Sequence, residues 1–253
     1  MRPFIIAFAM YSKIPMPRIE WTEENMKYAM CFFPLIGAVI GFLEVLVYSL
    51  CELLCFGEIF RTSLMVLMPV LVTGGIHVDG FIDTMDARSS WGDKEKKREI
   101  LKDSHVGAFG IIGCVTYYLV LAGAYSEVNQ RTIWIVAAVF VFSRAFSGLA
   151  SVTFPLAKKD GLLADFAKRA QKKKVCIIMY GYLILCAVFM ICISWITGLL
   201  CIITGILTFG YYRHFAEKEF GGNSGDLAGY FLQLCELFLA VTAVTADKIV
   251  YYL

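Results

Sequence analysis

The chain has 253 residues, of which 59% are hydrophobic and only 17% charged, with a mean hydropathy of +0.70. Soluble domains are roughly 45–50% apolar and about 25% charged, so the composition excludes a single soluble core and points to a polytopic membrane protein. The formal net charge of +2 is small, matters less than its distribution, and suggests no nucleic-acid partner.

Residues 1–27 read as a short apolar piece, a turn broken by prolines at Ile14-Pro15-Met16-Pro17, and a helix start at Thr22-Glu23-Glu24. Thr22 is the expected N-cap, with acidic residues favoured in the first turn. The apolar stretch 4–10 is short and ends in Tyr-Ser-Lys, so no cleavable signal is expected. A spanning helix needs about 20 mostly apolar residues. Residues 29–56 suffice, although Glu44 and Glu52 sit inside. Residues 64–76 span only by extending back to Ile59. The segments 108–126, 133–154, 175–196, 199–212 and 227–252 follow. The expectation is an all-α, polytopic helical bundle of about seven transmembrane helices in one domain over 1–253, with the second and sixth segments the shortest. The nine cysteines lie in apolar runs without CxxC or Cys/His ligand spacing, and read as buried, reduced thiols.

Cytoplasmic loops carry the Lys and Arg excess. With the N-terminus cytoplasmic, only Arg61 and Arg131 fall outside, and Arg144 and Lys248 fall within spans; the rest of the 23 Lys and Arg lie inside. The reverse orientation inverts the ratio. Every polar motif below then opens to the cytoplasm.

The stretch Gly74-Gly75-Ile76-His77-Val78-Asp79-Gly80-Phe81-Ile82-Asp83-Thr84-Met85-Asp86-Ala87-Arg88 places three carboxylates, Asp79, Asp83 and Asp86, at i, i+4 and i+7. On a helix all three share one face. Like charges there repel unless a cation sits among them. Mg²⁺, a hard ion that takes carboxylate and phosphate oxygens, gives the leading reading: a site for a phosphate-bearing substrate. A solvated acidic helix end is the plain alternative. His77 abuts this face as a proton acceptor, a partner of a carboxylate, or an interfacial residue. His105 is ambiguous in the same way, and His214 reads as interfacial.

Three further features belong to the same side. Lys102-Asp103-Ser104-His105-Val106-Gly107-Ala108-Phe109-Gly110 enters the third span. Asp103 and Ser104 can cap that helix, whose free N–H groups can bind an anion. Gly221-Gly222-Asn223-Ser224-Gly225-Asp226 enters the last span. Its glycines can bring backbone close to phosphate, and Asp226 can add a metal ligand; a capped turn is the plain alternative. Arg144, beside Ser143 in the fourth span, is costly in a membrane. It holds a phosphate, meets one of the carboxylates, or forms a structural pair with an acid such as Glu44. The basic stretches 94–102 and 158–174 read first as charge for an anionic lipid surface, and second as a field concentrating a polyanionic substrate.

The acidic stretch 74–86 resembles the signature of the cobalamin synthase family, the adenosylcobinamide-GDP ribazoletransferases. Ile14-Pro15-Met16-Pro17, Phe32-Phe33-Pro34-Leu35-Ile36-Gly37, Lys102-Asp103-Ser104 with Gly107 and Gly110, and Gly221-Gly222-Asn223-Ser224-Gly225-Asp226 resemble its other landmarks, in order. Ser224 stands where the family has Thr, which keeps a hydroxyl, and Ala87-Arg88 follows Asp86 where Gly is common. The resemblance implies a Mg²⁺-dependent phosphotransferase of the bacterial cytoplasmic (inner) membrane. It joins α-ribazole or its 5′-phosphate to adenosylcobinamide-GDP and releases GMP, the last assembly step of cobalamin. On that reading Asp79, Asp83, Asp86 and Asp226 hold Mg²⁺. His77, Asp103 and the three clustered aspartates are the catalytic candidates, and which group is the general base stays open. Lys102, Ser104, Arg144, Gly222, Ser224 and Gly225 are the substrate-binding candidates. Beyond its substrates and the bilayer, a homo-oligomeric partner is left open. Two other readings stand beside it. A CDP-alcohol phosphatidyltransferase lacks support because its Asp-x-x-Asp-Gly-x-x-Ala-Arg spacing is absent. A transporter with midplane carboxylates finds no inverted repeat here.

Overall fold

The computed structural model describes every residue except 104, 158–160 and 253. Helix α1 (Arg2–Tyr11) ends at Ser12, whose hydroxyl donates to the Phe8 carbonyl. Helix α2 (Glu23–Met26) starts at Thr22, whose hydroxyl accepts from the Asn25 N–H at 3.3 Å, the cap expected from the sequence. A 3₁₀ turn over Ala29–Phe32 runs into α3 (Phe33–Leu53). Pro34 sits in its first turn, where a missing N–H costs nothing. There follow α4 (Glu58–Thr73), α5 (Ile76–Ser89), α6 (Lys94–Ile100), α7 (Ala108–Ser126), α8 (Thr132–Thr153), α9 (Leu162–Arg169), α10 (Lys172–Ile193), α11 (Trp195–Phe215) and α12 (Gly225–Tyr252). A π turn over Ala216–Phe220 extends α11. Among the described residues there is no strand, only one isolated parallel bridge between Leu156 and Asn223.

Among the described residues, six helical stretches are long and apolar enough to cross a membrane, and seven if α4 and α5 count as one. The protein is a multi-pass membrane protein. The sixth predicted span is longer than its sequence pattern suggested, because α11 runs back to Trp195. The second differs more. Helix α4 begins at Glu58 and stops at Thr73, and the chain bends by 96° before α5.

Helix α8 is the hub, packed by α3, α10 and α12. Lipid tails are as apolar as leucine, so helix pairs in a bilayer are held by close packing and hydrogen bonds, not by hydrophobic transfer. At Gly37 of α3 a Cβ would lie 2.2 Å from the Phe140 carbonyl oxygen of α8, so the two backbones touch only because there is none. Gly37→Leu is therefore expected to part α3 from α8 and to lower the melting temperature in detergent by about 5 °C or more. A melt unchanged within 1 °C would refute the contact.

The same hub carries charge. Arg144 (1% exposed) of α8 donates from Nη1 to Glu236 of α12 at 2.7 Å and to the Phe140 carbonyl at 3.0 Å. The Ser143 hydroxyl donates to the same Glu236 carboxylate at 2.9 Å. The acid that meets Arg144 is thus Glu236, not Glu44, whose buried carboxylate oxygens have no hydrogen-bond partner.

The two ends of the bundle differ. At one end the helices are joined tightly, by residues 54–57, by 127–131 and by the single residue Ser194. The other end carries α1, α2, α5, α6, α9 and the π turn, and with them most Lys and Arg. All nine cysteines are free, but Cys55 and Cys192 are exposed. That corrects the expectation of uniform burial. An apolar run fixes that a thiol sits in or beside the bilayer, not whether protein or lipid covers it.

Candidate active site

The acidic stretch forms α5, so Asp79, Asp83 and Asp86 do share a helix at one-turn spacing. Its direction is set by Gly74 (φ 67°) and Gly75 (φ 80°). Both sit in the left-handed region, which side chains with a Cβ rarely adopt. Gly74 closes α4, its N–H donating to Val70 at 2.7 Å, and Gly75 opens α5. The helix then lies against α7 and α12. At Gly80 a Cβ would stand 2.8 Å from the Asp226 backbone, so α5 touches the first turn of α12 directly. This brings carboxylates from two distant stretches together. Asp83 lies within electrostatic reach of Asp79, Asp226 and Asp86.

Asp86 has a defined role. Its two oxygens accept the N–H groups of Gly107 (2.7 Å) and Gly110 (2.8 Å), the free donors at the start of α7. This corrects the expectation that Asp103 caps that helix: the anion at its start is Asp86, reaching across from α5. A helix N-terminus favours a carboxylate through its partial positive charge as well as its N–H groups. Asp103 is exposed and turned to His105, whose ring nitrogen stands 2.7 Å away and whose N–H donates at 3.0 Å. These two contacts hold Asp103 below the usual carboxylate range. Ser104 lies outside the described residues. Asp86→Ala is expected to cost about 1–2 kcal/mol by uncapping α7, and more than Asp83→Ala in the same melt. Equal losses would remove the capping role.

The C-terminal Gly-rich loop is pinned rather than flexible. The Asn223 N–H donates to Pro155 (2.7 Å), and the Ala157 N–H donates to Asn223 (2.9 Å). Gly222 (φ 148°) is pressed so close to this strand-like stretch that a Cβ would lie 2.6 Å from the Ala157 nitrogen. Ser224 accepts the Leu227 N–H at 3.3 Å and starts α12. At Gly225 a Cβ would meet nothing within 4 Å, so backbone here is open to the cavity that it lines.

That cavity has a volume of about 420 Å³. Asp79, Lys102, Ser224, Gly225 and Asp226 line it, with His77 deeper; Met10, Met30, Phe33, Leu156, Leu163 and Leu232 make its apolar wall. His77 is buried and its Nε2 has no partner. Its ring is stacked 6.2 Å from Tyr11 and set edgewise 5.9 Å from Phe33. Of the described sequence candidates, Asp83, Asp86, Asp103, Arg144 and Gly222 do not line this cavity. Arg144 is committed to Glu236 behind it, and Gly222 supports the loop from outside. Reading the sequence missed Tyr11, Ser147, Ser151 and Asn223, all of which line it. A signal existed for two of them. Ser143, Ser147 and Ser151 repeat at i, i+4 and i+8 on α8, a polar stripe on an otherwise apolar helix.

The donor chemistry fits a hard divalent cation. Among the described residues no three Asp, Glu, His or Cys side chains converge as a closed cage. Mg²⁺ is usually held by one or two carboxylates together with substrate phosphates and water, not by an all-protein cage. Asp79 and Asp226, which line the cavity, and Asp83, within electrostatic reach of both, supply oxygens for such an ion, and Lys102 in the same lining supplies a cation for a phosphate.

A family model described as cobalamin-5-phosphate synthase matches residues 3–244. The chain is 47% identical over 98% of its length to the adenosylcobinamide-GDP ribazoletransferase of Lachnoclostridium phytofermentans, covering 95% of that protein. It is 34% identical over 91% of its length to the protein of the same name from Clostridium perfringens strain SM101, covering 92% of it. It is 31% identical over 92% of its length to that from Clostridium botulinum strain Eklund 17B, covering 93% of it. No solved structure matches the chain.

Proposed function

The chain belongs to the cobalamin-5-phosphate synthase family, and from there we propose that it works as an adenosylcobinamide-GDP ribazoletransferase by Mg²⁺-dependent phosphoryl transfer in the cavity described above. The observation that carries the reading is that Asp79, Asp226 and Lys102 all line that cavity, with α5 turned by 96° from α4 and set against the first turn of α12. A ribose hydroxyl of α-ribazole, or of its 5′-phosphate, attacks the phosphorus on the cobinamide side. A new O–P bond forms, the bridging P–O bond breaks, and GMP leaves.

Positioning and charge stabilisation carry most of such catalysis. Bound Mg²⁺ would neutralise charge on the diphosphate oxygens. Asp79, Asp83 and Asp226 are the residues we assign to hold it. Asp86 keeps α5 docked on α7 so that they meet. Lys102 takes a phosphate oxygen, and the open backbone at Ser224 and Gly225 lets the diphosphate approach. His77, with its unshared Nε2, is the group we assign to accept a hydrogen bond from the attacking hydroxyl. The apolar wall excludes water that would otherwise compete as nucleophile.

The Lys and Arg asymmetry supports placing the N-terminus and the cavity in the cytoplasm of a bacterial inner membrane, where nucleotides are. The test is GMP release from adenosylcobinamide-GDP plus α-ribazole by the purified protein in nanodiscs, with and without Mg²⁺. Release that needs both substrates and the metal is expected. GMP release that ignores α-ribazole, or substrate uptake into vesicles without any GMP, would overturn the reading.

A further inference from the structure

Asn223 is 1% exposed and lines the cavity. Its backbone is fixed on both sides by Pro155 and Ala157. Its side-chain oxygen accepts the hydroxyl of Tyr212, itself 1% exposed on α11. Its amide nitrogen Nδ2, with two N–H donors, is buried without a partner. Buried polar groups are nearly always hydrogen-bonded, and an orphaned buried donor is destabilising. The Tyr212 hydroxyl accounts for the side-chain oxygen but leaves the two N–H donors of Nδ2 unused. The backbone and Tyr212 together leave the amide one orientation, so the donor is held ready rather than mobile.

We propose that Asn223 is a substrate-contacting residue, its Nδ2 donating to a diphosphate oxygen of the nucleotide substrate, and that Tyr212 is the positioning residue that fixes the amide. The inference rests on the transfer reading above. The ligand is assigned by neighbourhood: Asn223 directly precedes Ser224, Gly225 and Asp226, and all four line the cavity that Lys102 and Asp79 also line. A neutral donor there recognises phosphate oxygen without adding charge to the cation site. Tyr212 stacks on Phe231 of α12 at 4.6 Å and packs against Phe154 at 5.4 Å, so α11 reports to the loop through a rigid ring.

The test is steady-state kinetics of the full chain in nanodiscs with Asn223→Asp, Asn223→Ala and Tyr212→Phe. Asn223→Asp keeps the shape and the acceptor for Tyr212 but has no donor and brings a negative charge toward the diphosphate. It should raise KM for adenosylcobinamide-GDP about 30-fold or more and leave KM for α-ribazole within twofold. Asn223→Ala should raise the same KM about tenfold. Tyr212→Phe frees the amide to rotate and should raise it about threefold to tenfold, with its fold judged by melting temperature. Inorganic pyrophosphate, used as a competitive probe, should lose affinity in parallel. Unchanged KM for adenosylcobinamide-GDP in folded Asn223→Asp, or an equal rise in KM for both substrates, overturns the proposal. If instead wild type shows no GMP release at all, the transfer reading fails, and pyrophosphate binding by wild type against Asn223→Asp still decides the donor.

Discussion

Asp83→Asn is expected to reduce GMP release about 10³-fold, the upper end for loss of one electrostatic stabiliser, while the metal-free protein melts no lower than wild type. The two signs have one cause. Asp83 stands among the like charges of Asp79, Asp226 and Asp86. Without a cation those carboxylates repel, so removing one charge relieves strain and should raise the melting temperature by about 1–3 °C. With Mg²⁺ present the order reverses: wild type gains stability by mass action and the variant gains less. A thermal melt with and without Mg²⁺, beside the GMP assay, reads both. Asp83→Asn that is fully active, or that melts well below wild type in EDTA, would show that the carboxylate serves packing rather than a cation.

Glu236→Leu is expected to be the most damaging single change in the bundle. It leaves the Arg144 guanidinium, 1% exposed, without its carboxylate. Removing one partner of a buried ion pair costs about 3–5 kcal/mol, because the other charge stays buried. A single interhelical hydrogen bond in a membrane averages only about 0.6 kcal/mol, so the stranded charge dominates. At about 2–4 °C per kcal/mol for a chain of this size, the melting temperature should fall by about 10 °C, with lower recovery from the membrane. Arg144→Met with Glu236→Met together should restore most of the loss, since an apolar pair of similar volume leaves no charge uncompensated. The double variant should also release GMP within about threefold of wild type, because neither residue lines the main cavity. A stable but inactive double variant would instead place Arg144 on a phosphate.

Residues close in sequence were legible. The i, i+4, i+7 spacing of Asp79, Asp83 and Asp86 implied a helix with one acidic face, and α5 is that helix. Thr22 before two glutamates implied a cap, and it caps. The apolar runs implied an all-helical membrane bundle. Direction and partnership were not legible. Periodicity tells which residues share a face, not which helix that face meets. Asp86 finds its donors 21 and 24 residues away, and Arg144 finds Glu236 at a separation of 92. Gly74 and Gly75 stood in the sequence only as part of the acidic stretch, and nothing local there foretold the 96° corner that they make. Asn223 escaped notice because its burial depends on the stretch around Pro155, which only the folded chain brings alongside.

The tight joints at the far end of the bundle set where this molecule can breathe. Ser194 alone links α10 to α11, and Gly198 just beyond it is packed so that a Cβ would fall 2.5 Å from the Met190 carbonyl. Those two helices therefore behave as one stiff hairpin with no slack to hinge. Room to admit a bulky cargo must come from the opposite rim, where α9 rests on α2 and α8 and Tyr28 reaches Gln171, just before α10, at 2.7 Å. The bundle is a cup with a welded base, and it can flex only at its lip.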